Sequence, residues 1–244
     1  GTRRGTIVCL HAMMTDGRYF GARRDRGFAH LLAGAGYDVV IVDFRGHGQS
    51  TPLADWSFDD LVELDLPAIV QGAGCPPEEL VVLGHSLGGL ATMAALGNGA
   101  IPGPRAVILA TTNVWLGGDL RRRAVMSVYR RITALLGRAP IRTLRLGTAD
   151  EAATYVRQLT GWSRTGRWTS LRGVDHGAQL ARISTRVLPI AGSGDWMCTP
   201  ADARAFVAPL PNAAPVRIVD GADHFALFTQ RPLARTWREL LDRL

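Results

Sequence analysis

The chain has 244 residues, 47% of them apolar and 20% charged, with a mean hydropathy of +0.07, enough for one large α/β domain, ahead of two small ones, that needs no disulfide or metal to hold its core. Cys9, Cys75 and Cys198 are odd in number, far apart and form no C-x-x-C pair, which argues against a disulfide scaffold or zinc site. No apolar run reaches the roughly 18 to 20 residues of a membrane span. The basic residues are all Arg, which excludes a Schiff-base or P-loop lysine. The net charge of +7 is uneven, because residues 120–182 carry 13 Arg against Asp150, Glu151 and Asp175. The chain opens Gly1-Thr2-Arg3 rather than on Met, so the lack of a signal peptide carries no weight.

Thr6 to Leu10 is an apolar run of strand formers, and Tyr37 to Asp43 is a second. Between them Phe28, Leu31 and Leu32 fall at helical spacing, with Gly34 and Gly36 as stop signals. Ser57 is a candidate N-cap for a helix carrying Phe58, Leu61, Val62 and Leu64, kinked or ended near Pro67. Leu80 to Gly84 is a third strand, Gly88 to Asn98 its following helix, and Arg105 to Ala110 a fourth strand. Strands are also expected over Arg186 to Ala191 and Val216 to Val219, with an amphipathic helix from Gln230 to Leu244. Apolar strands alternating with helices predict a mostly parallel sheet of about six strands covered on both faces.

Residues 113–183 break this alternation. They predict a helix over Leu120 to Leu136 and another opened by a capping box of Thr148 and Glu151. Some seventy residues are too many for a connection, so the expected organisation is a core of residues 1–112 and 184–244 with a helical cap or lid, 113–183, over the C-terminal edge of the sheet.

Gly84-His85-Ser86-Leu87-Gly88 lies between the third strand and its helix, the setting of a G-x-S-x-G nucleophile turn. Glycines let the backbone bend sharply at Ser86, and the helix N-terminus offers N–H groups to a developing oxyanion. A serine hydroxyl at neutral pH needs a base and an acid to orient it. His224, in Gly221-Ala222-Asp223-His224 after the last strand, is the candidate base. Asp195, at the C-terminal end of the preceding strand, is the candidate acid, ahead of Asp220 and Asp223; Asp202 fits better as N3 of a helix capped by Thr199. His85 is expected to be structural, as are His30 and His47, whereas His176 is either cap surface or a substrate contact. The oxyanion donors are assigned to the backbone N–H groups of Leu87 and of Met13, with Ala12 the neighbouring alternative.

These residues resemble the α/β-hydrolase family, in its lipase-like and serine aminopeptidase-like branch, over Thr6 to Ala110 and Arg186 to Leu244. Asp43 to Ser50 is similar to that branch's D-x-R-G-x-G-x-S turn, Gly84 to Gly89 to its G-H-S-x-G-G elbow, and Gly221 to His224 to its histidine loop. Two departures stand out. His11-Ala12 replaces the usual His-Gly, and the family's two leading antiparallel strands have no counterpart, either trimmed away or absent from a six-stranded version.

The resemblance implies a serine hydrolase acting through an acyl-enzyme, without metal or cofactor. A carboxylic ester is the expected substrate, with thioester cleavage, acyl transfer or amide hydrolysis as alternatives and an idle hydrolase-fold binding module as the reading from another class. Trp115, Met126, Trp162 and Trp168 are candidate apolar contacts for a small-molecule acyl substrate, and Arg121, Arg122 and Arg123 could meet an anionic group. No nucleic-acid recognition motif accompanies the Arg-rich segment, so nucleic acid is not an expected partner. The cysteines, which look reduced, favour a cytoplasmic enzyme.

Overall fold

A computed structural model describes residues 2–21, 27–230 and 233–244. Six strands form one parallel sheet: β1 (Gly5–Leu10), β2 (Tyr37–Val42), β3 (Leu80–His85), β4 (Ala106–Ala110), β7 (Arg186–Gly192) and β8 (Arg217–Val219), in the order β2-β1-β3-β4-β7-β8. A two-residue ribbon, β5 (Arg138–Ala139) with β6 (Glu151–Ala152), stands apart from it and was not expected. The central strands β1, β3 and β4 are buried along their whole length. Their continuous apolar runs follow from that, since a parallel strand covered on both faces has no side to leave polar.

The period of two divides these strands between two cores. Val8, Leu10, Val82, Val107 and Leu109 face one; Ile7, Cys9, Val81, Leu83, Ile108 and Ala110 face the other. Each such buried aliphatic side chain contributes roughly 1.5 to 3 kcal/mol from removed apolar surface. Helix α5 (Leu87–Gly97) and the helical stretch from Phe58 to Gly72 fill the first core. On the other face lie α1 (Arg18–Gly21), α2 (Phe28–Gly34), α10 (Ala226–Thr229) and α11 (Ala234–Leu241). The C-terminal helix is therefore shorter than expected: Gln230 is extended, and Arg231 and Pro232 lie outside the described residues.

Ser57 caps α3 (Phe58–Asp60), and Asp60 returns the bond in a reciprocal capping box. Pro67 does not end this helix. A wider turn with i→i+5 bonding over Leu61–Asp65 separates α3 from α4 (Leu66–Gly72), and Pro67 falls in the first turn of α4. The Leu66 N–H still bonds to the Leu61 carbonyl, five residues back, so the widened turn joins the two helical stretches.

Between β4 and β7 the chain builds α6 (Leu120–Leu136), the ribbon, α7 (Ala153–Thr165) and α8 (His176–Gln179). Helix α6 has the predicted bounds, but the Thr148–Glu151 capping box does not form. Ala152 occupies the N-cap of α7 without a side-chain cap. The cap comes from a distant segment instead: Asp55 Oδ1 accepts the Thr154 N–H at 2.8 Å and Oδ2 accepts the Thr154 hydroxyl. Trp56 stacks on Tyr155 at 4.8 Å and accepts its N–H. A buried Asp59–Gln158 hydrogen bond of 2.6 Å completes the seam. Glu151, freed from the helix start, turns inward and is 1% exposed. After β7, Thr199 and Asp202 form the expected capping box on α9 (Pro200–Val207).

Candidate active site

Ser86 connects β3 to α5 with φ +51° and ψ −108°, a conformation that L-residues adopt rarely. Its N–H is held by the Ala110 carbonyl of β4 at 3.0 Å, and its own carbonyl accepts from Leu90 at 3.0 Å. The neighbouring glycines are required by close approach. A Cβ on Gly88 would lie 2.5 Å from the Leu10 carbonyl oxygen, and one on Gly84 would lie 2.5 Å from Gly89. The turn therefore presses α5 against β1 and β3 with no room for a methyl group, and raises Ser86 at the C-terminal edge of the sheet.

Asp195 and His224 converge on the same edge from the ends of β7 and β8. His224 Nδ1 lies 2.7 Å from Asp195 Oδ2, and the two residues are 6% and 2% exposed. Asp195 Oδ1 accepts from the N–H groups of Met197 and Cys198 at 2.8 and 3.0 Å, which fixes the carboxylate from behind. Other acids near this edge have different partners. Asp223 accepts from Phe225 and Ala226 N–H, Asp220 accepts from the Ser193 hydroxyl, and Asp202 joins Thr199 and Arg122. Among the described residues no hydrogen bond joins the Ser86 hydroxyl to His224; such bonds are often long before a substrate is bound.

His85 is wholly buried, and its Nε2 donates to the His224 carbonyl oxygen at 3.0 Å, with the two rings 4.9 Å apart. Burial first, and then the neighbouring His224, hold the His85 ring well below the usual imidazole range, so it stays neutral. A residue expected to be structural thus holds the backbone of the histidine loop.

The loop after β1 faces the start of α5. His11 is neutral for the same reason, its pKa lowered to about 4 by burial and then by His47. Its Nδ1 donates to the Ala12 carbonyl at 2.8 Å, and its Nε2 accepts the Phe44 N–H at 3.1 Å. The His11 carbonyl in turn receives the Gly88 N–H at 3.1 Å. Among the described residues neither Met13 N–H nor Leu87 N–H donates to another group. The Asp43 to Ser50 turn supports the loop from the side, since Asp43 accepts from Gly17 N–H at 2.6 Å and Gln49 N–H at 2.8 Å.

Among the described residues, cavities open along the segment between β4 and β7. One of about 430 Å³ is bounded by Trp115, Trp168, Phe206 and Arg122. Another of about 600 Å³ runs between α6 and α7, past Met126, Arg123, Arg130 and Arg164. Trp115 donates its indole N–H to the Met197 carbonyl at 2.8 Å beside Asp195. Trp162 lines neither; it packs edge-on to Phe58 at 5.0 Å and donates to the Thr169 carbonyl. His176 is buried between Phe58 and Trp168 rather than on the surface. Arg122 is committed to Asp202 at 3.0 Å, and Arg121 lies over the Trp196 ring at 4.2 Å. Among the described residues no helix is long and apolar enough to cross a membrane, and no cluster of His, Cys, Asp and Glu could hold a metal ion. Glu151, beside the β1 loop, is the site-proximal residue that sequence reasoning misplaced, because its spacing from Thr148 imitates a helix start.

The chain belongs to the α/β hydrolase family, whose sequence profile matches residues 7–239. It is 35% identical over 80 residues to Lipase lipl-1 of Caenorhabditis elegans, a match covering 28% of this chain and 20% of that protein. It is 29% identical over 83 residues to Proline iminopeptidase PfmaB of Pestalotiopsis fici, covering 34% of this chain and 28% of that one. The match thus spans less than a third of either relative's length. The fold is similar to the crystal structure of Paleococcus ferrophilus monoacylglycerol lipase, with a TM-score of 0.68, 18% identity, and coverage of 100% of this chain and 95% of that one.

Proposed function

We propose that this chain is a serine hydrolase that cleaves a carboxylic ester of a hydrophobic small molecule through an acyl-enzyme. The observation that carries the reading is the buried 2.7 Å contact of His224 Nδ1 with Asp195 Oδ2, on the sheet edge where Ser86 occupies its strained turn. His224 takes the Ser86 proton as the hydroxyl oxygen attacks the ester carbonyl, and Asp195 keeps the imidazole in the tautomer whose Nε2 is free to accept it. The N–H groups of Met13 and Leu87 receive the oxyanion, each such donor being worth about 3 kcal/mol in the transition state. His224 then protonates the departing alcohol. Water, deprotonated by the same imidazole, attacks the acyl carbon and releases the acid and free Ser86.

Residues 113–183 serve as a cap in this reading. Trp115 and Trp168 supply apolar wall and Met126 borders the second cavity, while Arg123, Arg130 and Arg164 offer charge to an anionic substituent. The lipase relative favours an ester and the iminopeptidase relative keeps amide cleavage in the substrate panel.

Intact-mass analysis after exposure to a fluorophosphonate, on wild type and Ser86→Ala in parallel, tests the proposal. One adduct on the wild type and none on the variant is the expected result, followed by turnover of esters ahead of thioesters and amides. No adduct on either protein would overturn the hydrolase reading in favour of a binding module.

A further inference from the structure

We infer that Glu151, which the inserted segment carries into the core, is a positioning residue for the Met13 oxyanion donor; the inference rests on the reading of Ser86 as nucleophile. Met14, the residue next to that donor, is gripped at both its N–H and its carbonyl by one short stretch of the insertion. Its N–H donates to Glu151 Oε1, and its carbonyl accepts the N–H groups of Thr148 at 2.8 Å and Ala149 at 3.3 Å. Met14 itself is held at φ +63°, in the left-handed region that a residue with a Cβ avoids. The grip therefore keeps the chain where it would not rest alone, and the orientation of the Met13–Met14 segment depends on it. The preceding peptide is fixed too, since the Ala12 carbonyl accepts from His11 Nδ1 and from the Thr15 hydroxyl, each at 2.8 Å. Between these two pinned carbonyls the Met13 N–H donates to no group among the described residues.

Glu151 is anchored in its turn. Its Oε1 lies 3.3 Å from His47 Nε2, and both side chains are wholly buried. His47 Nδ1 donates to the Arg45 carbonyl at 2.9 Å, so a hydrogen bond across the pair requires one shared proton, on the imidazole Nε2 or on the carboxyl. Burial disfavours the charged ring, but Glu151 outweighs it and the His47 pKa is raised. The Asp43 to Ser50 turn thus supplies His47, the insertion supplies Glu151, and the two meet at the loop after β1. Glycine at 147 is part of the same device: a Cβ there would lie 2.2 Å from the Met14 carbonyl oxygen.

The test compares wild type with Glu151→Gln, Glu151→Ala and Gly147→Ala, all below their unfolding temperatures. It measures kcat and KM on p-nitrophenyl butyrate and the rate of fluorophosphonate attachment to Ser86. Gln keeps an oxygen for the Met14 N–H, and neutral His47 can donate to the same oxygen from its Nε2–H tautomer, giving up the Arg45 carbonyl. It is expected to stay within about fivefold of wild type, whereas Ala loses about 10- to 100-fold in kcat and in labelling rate with KM within about twofold. Gly147→Ala, which pushes the same residue at its carbonyl, is expected to fall with Ala. Should Glu151→Ala fail to fold, Gly147→Ala and Glu151→Gln decide. Folded Ala and Gly147→Ala proteins reacting at the wild-type rate would overturn the inference and leave the hydrolase reading standing. So would a raised KM at unchanged kcat, or a Gln variant as impaired as Ala. A wild type that takes no label removes the nucleophile reading and this inference with it.

Discussion

Asp195 shows how much one side chain does at this site. One carboxylate oxygen faces His224 and the other holds two backbone N–H groups. Asp195→Asn keeps an acceptor for the loop but can set an NH2 group against the imidazole, favouring the wrong tautomer. On the proposed mechanism kcat falls by roughly 10⁴-fold while the circular dichroism spectrum is unchanged; wild-type turnover by this variant would remove Asp195 from the mechanism. The buried histidines make a prediction about acid stability. Folded His11 titrates near 4, against 6.5 for the free ring, with His47, Asp43 and Asp16 as its charged neighbours. Between those values the unfolded chain takes up a proton that the folded chain does not, so stability falls as pH drops from about 6.5 to 4 and this contribution is flat below that. The loss amounts to roughly 3 kcal/mol for His11. His47 has the opposite sign: its raised pKa gives stability that is full below 6.5 and lost as pH rises through the folded value. Urea unfolding across pH 4 to 7 should show a flatter acid limb in His11→Gln than in wild type; equal slopes would exclude His11 as a source.

Helix ends position the site more than helix interiors do. Thr199 caps α9 immediately after the Asp195–Cys198 loop, with Pro200 in the first turn and Asp202 returning the bond. Thr199→Ala removes the acceptor for the Asp202 N–H, at a cost of about 1 kcal/mol, which for a chain of this length is a drop of about 2 to 4 °C in Tm. Because Asp195 is held by bonds of its own, ester turnover at 25 °C should stay within about twofold, and a larger loss would mean that α9 transmits strain to the acid. The turn between β3 and α5 tolerates less. Gly88→Ala places a methyl group against the Leu10 carbonyl oxygen at 2.5 Å, separating α5 from β1 at the point where Gly88 N–H meets the His11 carbonyl. Loss of fluorophosphonate labelling together with a lowered Tm is the expected outcome, and a fully labelled variant with wild-type Tm would show that the close approach is dispensable.

On the scale of the whole molecule, residues between β4 and β7 share one hydrophobic core with the sheet. Trp168 is 2% exposed and touches Phe58, His176 and Phe206, which come from α3, α8 and α9. Its replacement by Ala should cost about 3 to 5 kcal/mol by the cavity left behind and should lower stability in a single cooperative transition. Two separate transitions in calorimetry would mean that the segment between β4 and β7 unfolds by itself. The same continuity explains why the segment between β4 and β7 reaches the β1 loop: its α7 is bonded to Asp55, Trp56 and Asp59, which sets Glu151, just before α7, against Met14.

Local physics alone determined much of this. Strands followed from apolar runs, caps from Ser57 and Thr199, and the Ser86 turn from glycines whose spacing has a steric cause. The expected bounds of α6, Leu120 to Leu136, hold in the structure, where Asp119 and Gly137 cap the helix at its two ends. Local rules failed where a distant group took over a local task. Thr148 and Glu151 have the spacing of a capping box, but Asp55, some hundred residues earlier, caps α7, and Glu151 gains buried partners that no window of sequence contains. Pro67 reads as a kink or a stop, and of the two the stop is not what forms: a widened turn precedes it and the helix continues to Gly72. Trp162 reads as a ligand contact by its chemistry, and packing made it core. The sequence could name residues able to serve as base, acid and oxyanion donor. Which carboxylate faces His224, and which peptide the insertion grips, depended on loops meeting across the sheet edge, and only the tertiary structure brings those together.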